Sequence, residues 1–122
     1  MKRFFVTAAI ATVLAFNSTS VSAKDAAFAA FWVKFQAALK TNDKEAIASM
    51  TRLPYQLDSK SLDKKAFVLN CDKIFSKKVR TCLAKEKPVQ DKTSFSAFCG
   101  EEIYIFEKVN GKYLFTEIGV ND

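Results

Sequence analysis

The dipeptide Asn110-Gly111 constrains what this chain can fold into more than any other feature. It joins two runs of alternating character, about residues 102–109 and 112–119. A two-residue hairpin loop of type I′ needs positive φ at both central positions, and Asn-Gly supplies that at low steric cost. An antiparallel pair closed by such a loop has a fixed register. Val109 then opposes Lys112, Glu107 opposes Leu114, Ile105 opposes Thr116, and Ile103 opposes Ile118. The opposite face pairs Lys108 with Tyr113, Phe106 with Phe115, and Tyr104 with Glu117. Upstream, Phe95, Ala97 and Cys99 alternate with Ser94, Ser96 and Phe98, and Gly100 marks a turn or bulge. A three-stranded antiparallel meander is therefore expected from Thr93 onward.

Before Thr93 the period is 3.6. Phe28, Phe31, Trp32, Phe35 and Leu39 form one apolar helical stripe, with Asp25 as a candidate cap. Asn42 with Glu45 three residues on reads as a capping-box-like start to a short helix burying Ile47 and Met50. Pro54 pushes Leu53 into an extended conformation, so residues 51–57 are expected as a short strand or hook. Asp58, Ser59 or Ser61 can cap a helical region from about Leu62 to Lys85, with Phe67, Cys71, Ile74, Phe75, Val79, Cys82 and Leu83 inward. Ser76 can cap a second helix, which places a break near Phe75, and Pro88 ends the helical part. The fold class is α+β, N-terminal helices packed on a curved antiparallel sheet.

A sheet with helices on one side is expected to bury its aliphatic face beneath them. That leaves the face of Tyr104, Phe106, Tyr113, Phe115 and Glu117 open as a ligand or partner surface. The competing arrangement turns the aromatics inward beneath the Phe-rich helix, where they would line a pocket.

The first 23 residues read as a cleavable export signal. Lys2 and Arg3 precede a 13-residue apolar run (4–16), and Val21-Ser22-Ala23 offers small residues where a signal peptidase reads them. A bilayer core needs about 20 such residues. The expected product is a single 99-residue domain, residues 24–122, in the periplasm or secreted and not embedded in a membrane. It keeps 17 basic and 13 acidic residues, a net charge of +4. Ten of the basic groups lie between Lys60 and Lys92, interleaved with Asp63, Asp72, Glu86 and Asp91, which suits a solvated helix face and not a nucleic-acid site. Cys71, Cys82 and Cys99 all lie in the exported part, where a pair should bridge. On one continuous helix Cys71 and Cys82 would be about 16 Å apart, whereas a disulfide needs Cα atoms within about 7 Å. Cys99 is thus the common partner, with either helical cysteine open to it; three buried thiols are the alternative.

The sequence contains no histidine, which removes Ser-His-Asp and Cys-His pairs, His-ligated zinc and the commonest general base near neutral pH. Cysteine spacings of 11 and 17 do not suit a zinc site, and no glycine-rich phosphate loop or calcium loop is present. No cofactor and no metal are expected. Glu101 and Glu102 are adjacent, so in a strand they face opposite ways. Glu117 opposite Tyr104 is the one acid–base couple in view.

The element order resembles the nuclear transport factor two-like superfamily, a cone-shaped α+β roll. Phe31-Trp32-Val33-Lys34-Phe35-Gln36-Ala37-Ala38, Thr41 to Ala48, Leu53-Pro54, Lys73-Ile74-Phe75 and Val109-Asn110-Gly111-Lys112-Tyr113 carry that resemblance. It implies a pocket between sheet and helices and frequent dimerisation through the sheet, without implying an activity. A cystatin-like inhibitor also lays a helix over a meander, but its glutamine-containing loop motif is missing here. The leading expectation is a non-enzymatic exported module that binds a protein or small ligand, with a homodimer through the sheet as one form. The alternatives are a dehydratase- or isomerase-type pocket enzyme using a carboxylate and a tyrosine, and an inhibitor of a secreted enzyme acting through a loop such as 86–92.

Overall fold

A computed structural model describes residues 23–120. Apart from Ala23, the segment read as an export signal lies outside the described residues. Helix α1 (Ala23–Thr41) is followed by α2 (Lys44–Ser49), a small hairpin β1 (Tyr55–Leu57) and β2 (Lys60–Leu62), then helices α3 (Lys64–Ile74) and α4 (Lys77–Leu83). A four-stranded antiparallel sheet follows, with β3 (Val89–Asp91), β4 (Ser94–Cys99), β5 (Glu102–Val109) and β6 (Lys112–Val120) in that order. The fold class is α+β. The expected meander is present, extended at one edge by β3.

The helix ends follow local chemistry. The backbone of α1 is already helical at Ala23, two residues before the expected cap Asp25. At its other end Asn42 adopts φ 53°, with Asn42 N donating to Leu39 O (3.1 Å) and Asp43 N to Ala38 O (2.8 Å). These two bonds are the Schellman pattern, and asparagine tolerates the left-handed position. Asn42 therefore closes α1 and does not open α2. The cap of α2 is Asp43, which accepts from Ala46 N at 3.2 Å. Similarly α3 is capped by Asp63 and not by Asp58, Ser59 or Ser61, because residues 60–62 pair as β2. The helical region breaks at Phe75, and Ser76 caps α4 by accepting from Val79 N at 3.3 Å. Residues 50–52 bridge to β6: Arg52 N donates to Phe115 O and Phe115 N to Met50 O, each at 2.8 Å.

Asn110 and Gly111 have φ of 52° and 84°, as a type I′ turn requires. The register runs as expected from Val109↔Lys112 to Phe106↔Phe115. A β-bulge then intervenes. Beyond it Ile105 pairs with Glu117, Tyr104 with Ile118 and Ile103 with Gly119, leaving Thr116 as the extra residue. This corrects the pairing of Tyr104 with Glu117 and moves Ile118 to the inner side, where it packs against the core.

The sheet lies the other way round from the first expectation. Tyr104, Phe106 and Phe115 are fully buried and Tyr113 is 5% exposed, so these four side chains form the core and not an open face. The aromatic stripe of α1 is what selects this side. Phe28 stacks on Phe95 with ring centroids 3.8 Å apart, and Trp32 and Phe35 meet the edge of Phe106 at 5.3 and 5.2 Å. Phe75 packs on Phe115 at 5.0 Å. Rings on both layers bury far more apolar area than aliphatic side chains would in the same place.

Candidate functional site

With the aromatic face inside, the aliphatic face is outward. Following the register across the strands, Val89, Ser96, Ile105 and Glu117 lie in one row. Phe98, Ile103 and Gly119 form the next, and Asp91, Ser94, Glu107 and Leu114 the one beyond Ile105. Val89 and Phe98 are 57% and 41% exposed, and Ile103, Ile105 and Leu114 are half-buried. Phe98, Ile103 and Ile105 form an apolar centre, and the acids of this face, Asp91 on β3, Glu107 on β5 and Glu117 on β6, flank it. Glu107 is tied down there: its Oε1 accepts from Thr116 Oγ1 at 2.9 Å and lies 4.0 Å from Arg52 Nη1. The ring contacts between helices and sheet are made on the opposite side, so this is the free face of the sheet among the described residues.

Of the five residues expected to form a partner surface, only Glu117 is exposed. The bulge puts it on the outer side with Ile105, away from Tyr104. Hydrophobic alternation carried the signal for the true outer face, in Ile103, Ile105 and Leu114, but alternation alone does not say which face is in.

The tyrosine–carboxylate couple has a different carboxylate from the one expected. Tyr104 Oη donates to Glu102 Oε1 at 2.6 Å, at the start of β5. Burial raises the Tyr104 phenol well above its ordinary range, and the Glu102 hydrogen bond pushes it further. Burial together with the charges of Glu117 and Glu102 also pushes Tyr55 up, to about 12. Both phenols stay protonated at neutral pH, so the cluster donates hydrogen bonds and offers no phenolate base.

Cys82 and Cys99 form the disulfide, with Cα atoms 6.0 Å apart, joining α4 to the inner face of β4. Cys71 is a buried free thiol whose pKa burial pushes up to about 11, with a smaller push from Asp72. The loop 86–92 considered as an inhibitory element contributes residues 89–91 to β3. No cluster of His, Cys, Asp or Glu suited to a metal ion occurs among the described residues, and none of their helices is long and apolar enough to cross a membrane. No protein-family model, curated protein or solved structure matches the chain.

Proposed function

We propose that the chain is an exported, non-enzymatic binding module that seats a second copy of itself on the outer face of its four-stranded sheet. The observation that carries this is the apolar patch of Val89, Phe98, Ile103, Ile105 and Leu114 on the free face of the sheet, flanked by Asp91, Glu107 and Glu117. Such a surface is self-complementary under a twofold axis, because two twisted antiparallel sheets can stack face to face at about 10 Å. A homodimer interface is also the kind whose centre is most depleted of charge. Export rests on the pattern of residues 1–23. The order of two helices, a hairpin, two further helices and a sheet is compatible with the nuclear transport factor two-like roll, and membership of that superfamily is part of the same proposal. A non-enzymatic role is supported by the missing histidine and by phenols held in their protonated form.

Sedimentation of the mature chain across about 1–100 μM tests the proposal, a range in which weak and moderate homodimers dissociate. Wild type is expected to move from monomer to dimer over that range. Ile105→Glu and Phe98→Lys should hold the chain as a monomer with an unchanged circular dichroism spectrum. A wild-type chain that stays monomeric throughout, or variants that dimerise as wild type does, would overturn it.

A further inference from the structure

The sheet face proposed to seat a second copy carries charge of its own. Asp91 and Glu117 stand on its opposite flanks, on β3 and β6, and Glu107 lies between them on β5. Asp91 and Glu117 are exposed. Two cations share the face. Lys112 pairs with Val109 at the hairpin end, and Arg52 reaches in from the β6 edge to within 4.0 Å of Glu107 Oε1. Arg52 and the Thr116 hydroxyl thus engage Glu107. Neither Asp91 nor Glu117 is in an ion pair among the described residues. The mature chain as a whole carries +4, so the acidity belongs to this face and not to the molecule.

A twofold axis repeats on one copy every group of the other. Aligned sheets keep their strand directions within about 30° of each other. An axis centred on the apolar patch therefore runs either along the strands or across them. Along the strands, between β4 and β5, it lays β3 over β6. Val89 then covers Glu117 of the other copy, and Asp91 lies one row, about 7 Å, along the strand from it. Across the strands, the axis lays β6 over β6 and brings Glu117 within a row of its own counterpart. In both arrangements carboxylate approaches carboxylate, at a separation of about 10 Å set by the spacing of stacked sheets.

We infer that the sheet-to-sheet dimer, whose existence rests on the reading above, is gated by ionic strength through Asp91 and Glu117. In dilute salt the carboxylates hold the two copies apart. In salt they are screened, and the apolar patches close. Two unit charges about 10 Å apart at a protein surface repel strongly enough to move an association constant about tenfold. The screening length falls from about 30 Å at 0.01 M salt to about 8 Å at 0.15 M, which crosses that separation.

Sedimentation of the mature chain at these two salt concentrations tests the gate. The wild-type dimer should tighten about tenfold in the higher salt. Screening also relaxes repulsion between two whole chains of net +4, and the double variant Asp91→Asn, Glu117→Gln separates the two causes. It raises the net charge from +4 to +6, so repulsion between whole molecules would loosen its dimer. Repulsion at the face predicts the reverse: a dimer about tenfold tighter than wild type at 0.01 M salt, with most of the salt response gone. A double variant with a native circular dichroism spectrum that binds no tighter than wild type in dilute salt would overturn the inference. A dimer indifferent to salt and to both substitutions would leave the dimer standing and sink only its gating by charge. A chain that stays monomeric to about 100 μM under all of these conditions would remove the dimer itself, and the gate with it.

Discussion

Phe106 stands where the two layers of the molecule meet. Its ring centroid lies 5.2–6.0 Å from those of Phe28, Phe31, Trp32, Phe35 and Phe115. It is fully buried, and its neighbours are themselves locked by stacking, so they have little freedom to collapse into a void. Phe106→Ala should therefore cost about 3–5 kcal/mol in urea denaturation. Leu69→Ser, at a site 77% exposed on α3, should stay within about 0.5 kcal/mol of wild type. A small loss at Phe106 would mean the aromatic face is not the core. The residue scale also shows why the orientation of the sheet was hard to read from sequence. Phe106 and Ile105 alternate equally well whichever face is buried. The deciding quantity was the partner layer: a helix stripe of four aromatic side chains is complemented by rings, and pairing across layers is not written into either strand.

At the scale of elements, the parts with a local chemical cause were legible and those set by pairing were not. The Asn110-Gly111 hairpin, the α1 stripe and the Ser76 cap each rest on residues within a few positions of one another. Strand β3 was missed because Val89, Gln90 and Asp91 are all exposed and carry no alternation, and the Lys92-Thr93 turn lacks a turn signature although Lys92 takes φ 56°. The bulge was missed because it is a property of the β5–β6 pair. It lets Phe115 and Ile118 both face inward, three positions apart, while Glu117 stays outside. Deleting one residue from a strand normally sends every following side chain to the wrong face. Deleting Thr116 should not, because the register already passes over it. That variant should unfold cooperatively, weakened by about 1–3 kcal/mol for the lost Thr116 hydrogen bonds to Ile105 O and Glu107. Deleting Leu114 instead should abolish cooperative unfolding. The Cys82–Cys99 bridge acts at the same scale. It ties a seven-residue helix to the sheet across a sequence separation of 17, so replacing both cysteines by serine should cost about 3 kcal/mol. Loss of less than about 1 kcal/mol in calorimetry or urea titration would show that α4 is held by Leu83 and Gln36 alone.

For the whole molecule, the groups most displaced from their ordinary behaviour are all acids kept neutral by burial: Tyr55, Tyr104 and Cys71. Their distribution runs from β1 through α3 to β5, so their ionisation tests the integrity of the entire core and not of one site. The sign follows from linkage. Each is harder to ionise folded than unfolded, so its contribution is complete below the unfolded pKa and is lost as pH rises through the folded one. For Cys71 that window runs from about 9 to about 11, and for Tyr55 from 10 to about 12. Within its window each group should lower stability by up to about 1.4 kcal/mol per pH unit. The urea midpoint of the disulfide-intact chain is expected to stay flat from pH 7 to 8.5, to begin falling near 9, and to steepen above 10. Lysines also lose charge above pH 10, so the decline alone does not identify its source. Cys71→Ala should remove the onset near 9, and Tyr55→Phe with Tyr104→Phe should flatten the steeper part while leaving the lysines unchanged. If all of these variants declined in parallel with wild type, the alkaline loss would belong to surface charge, and the buried phenols and thiol would have no share in it.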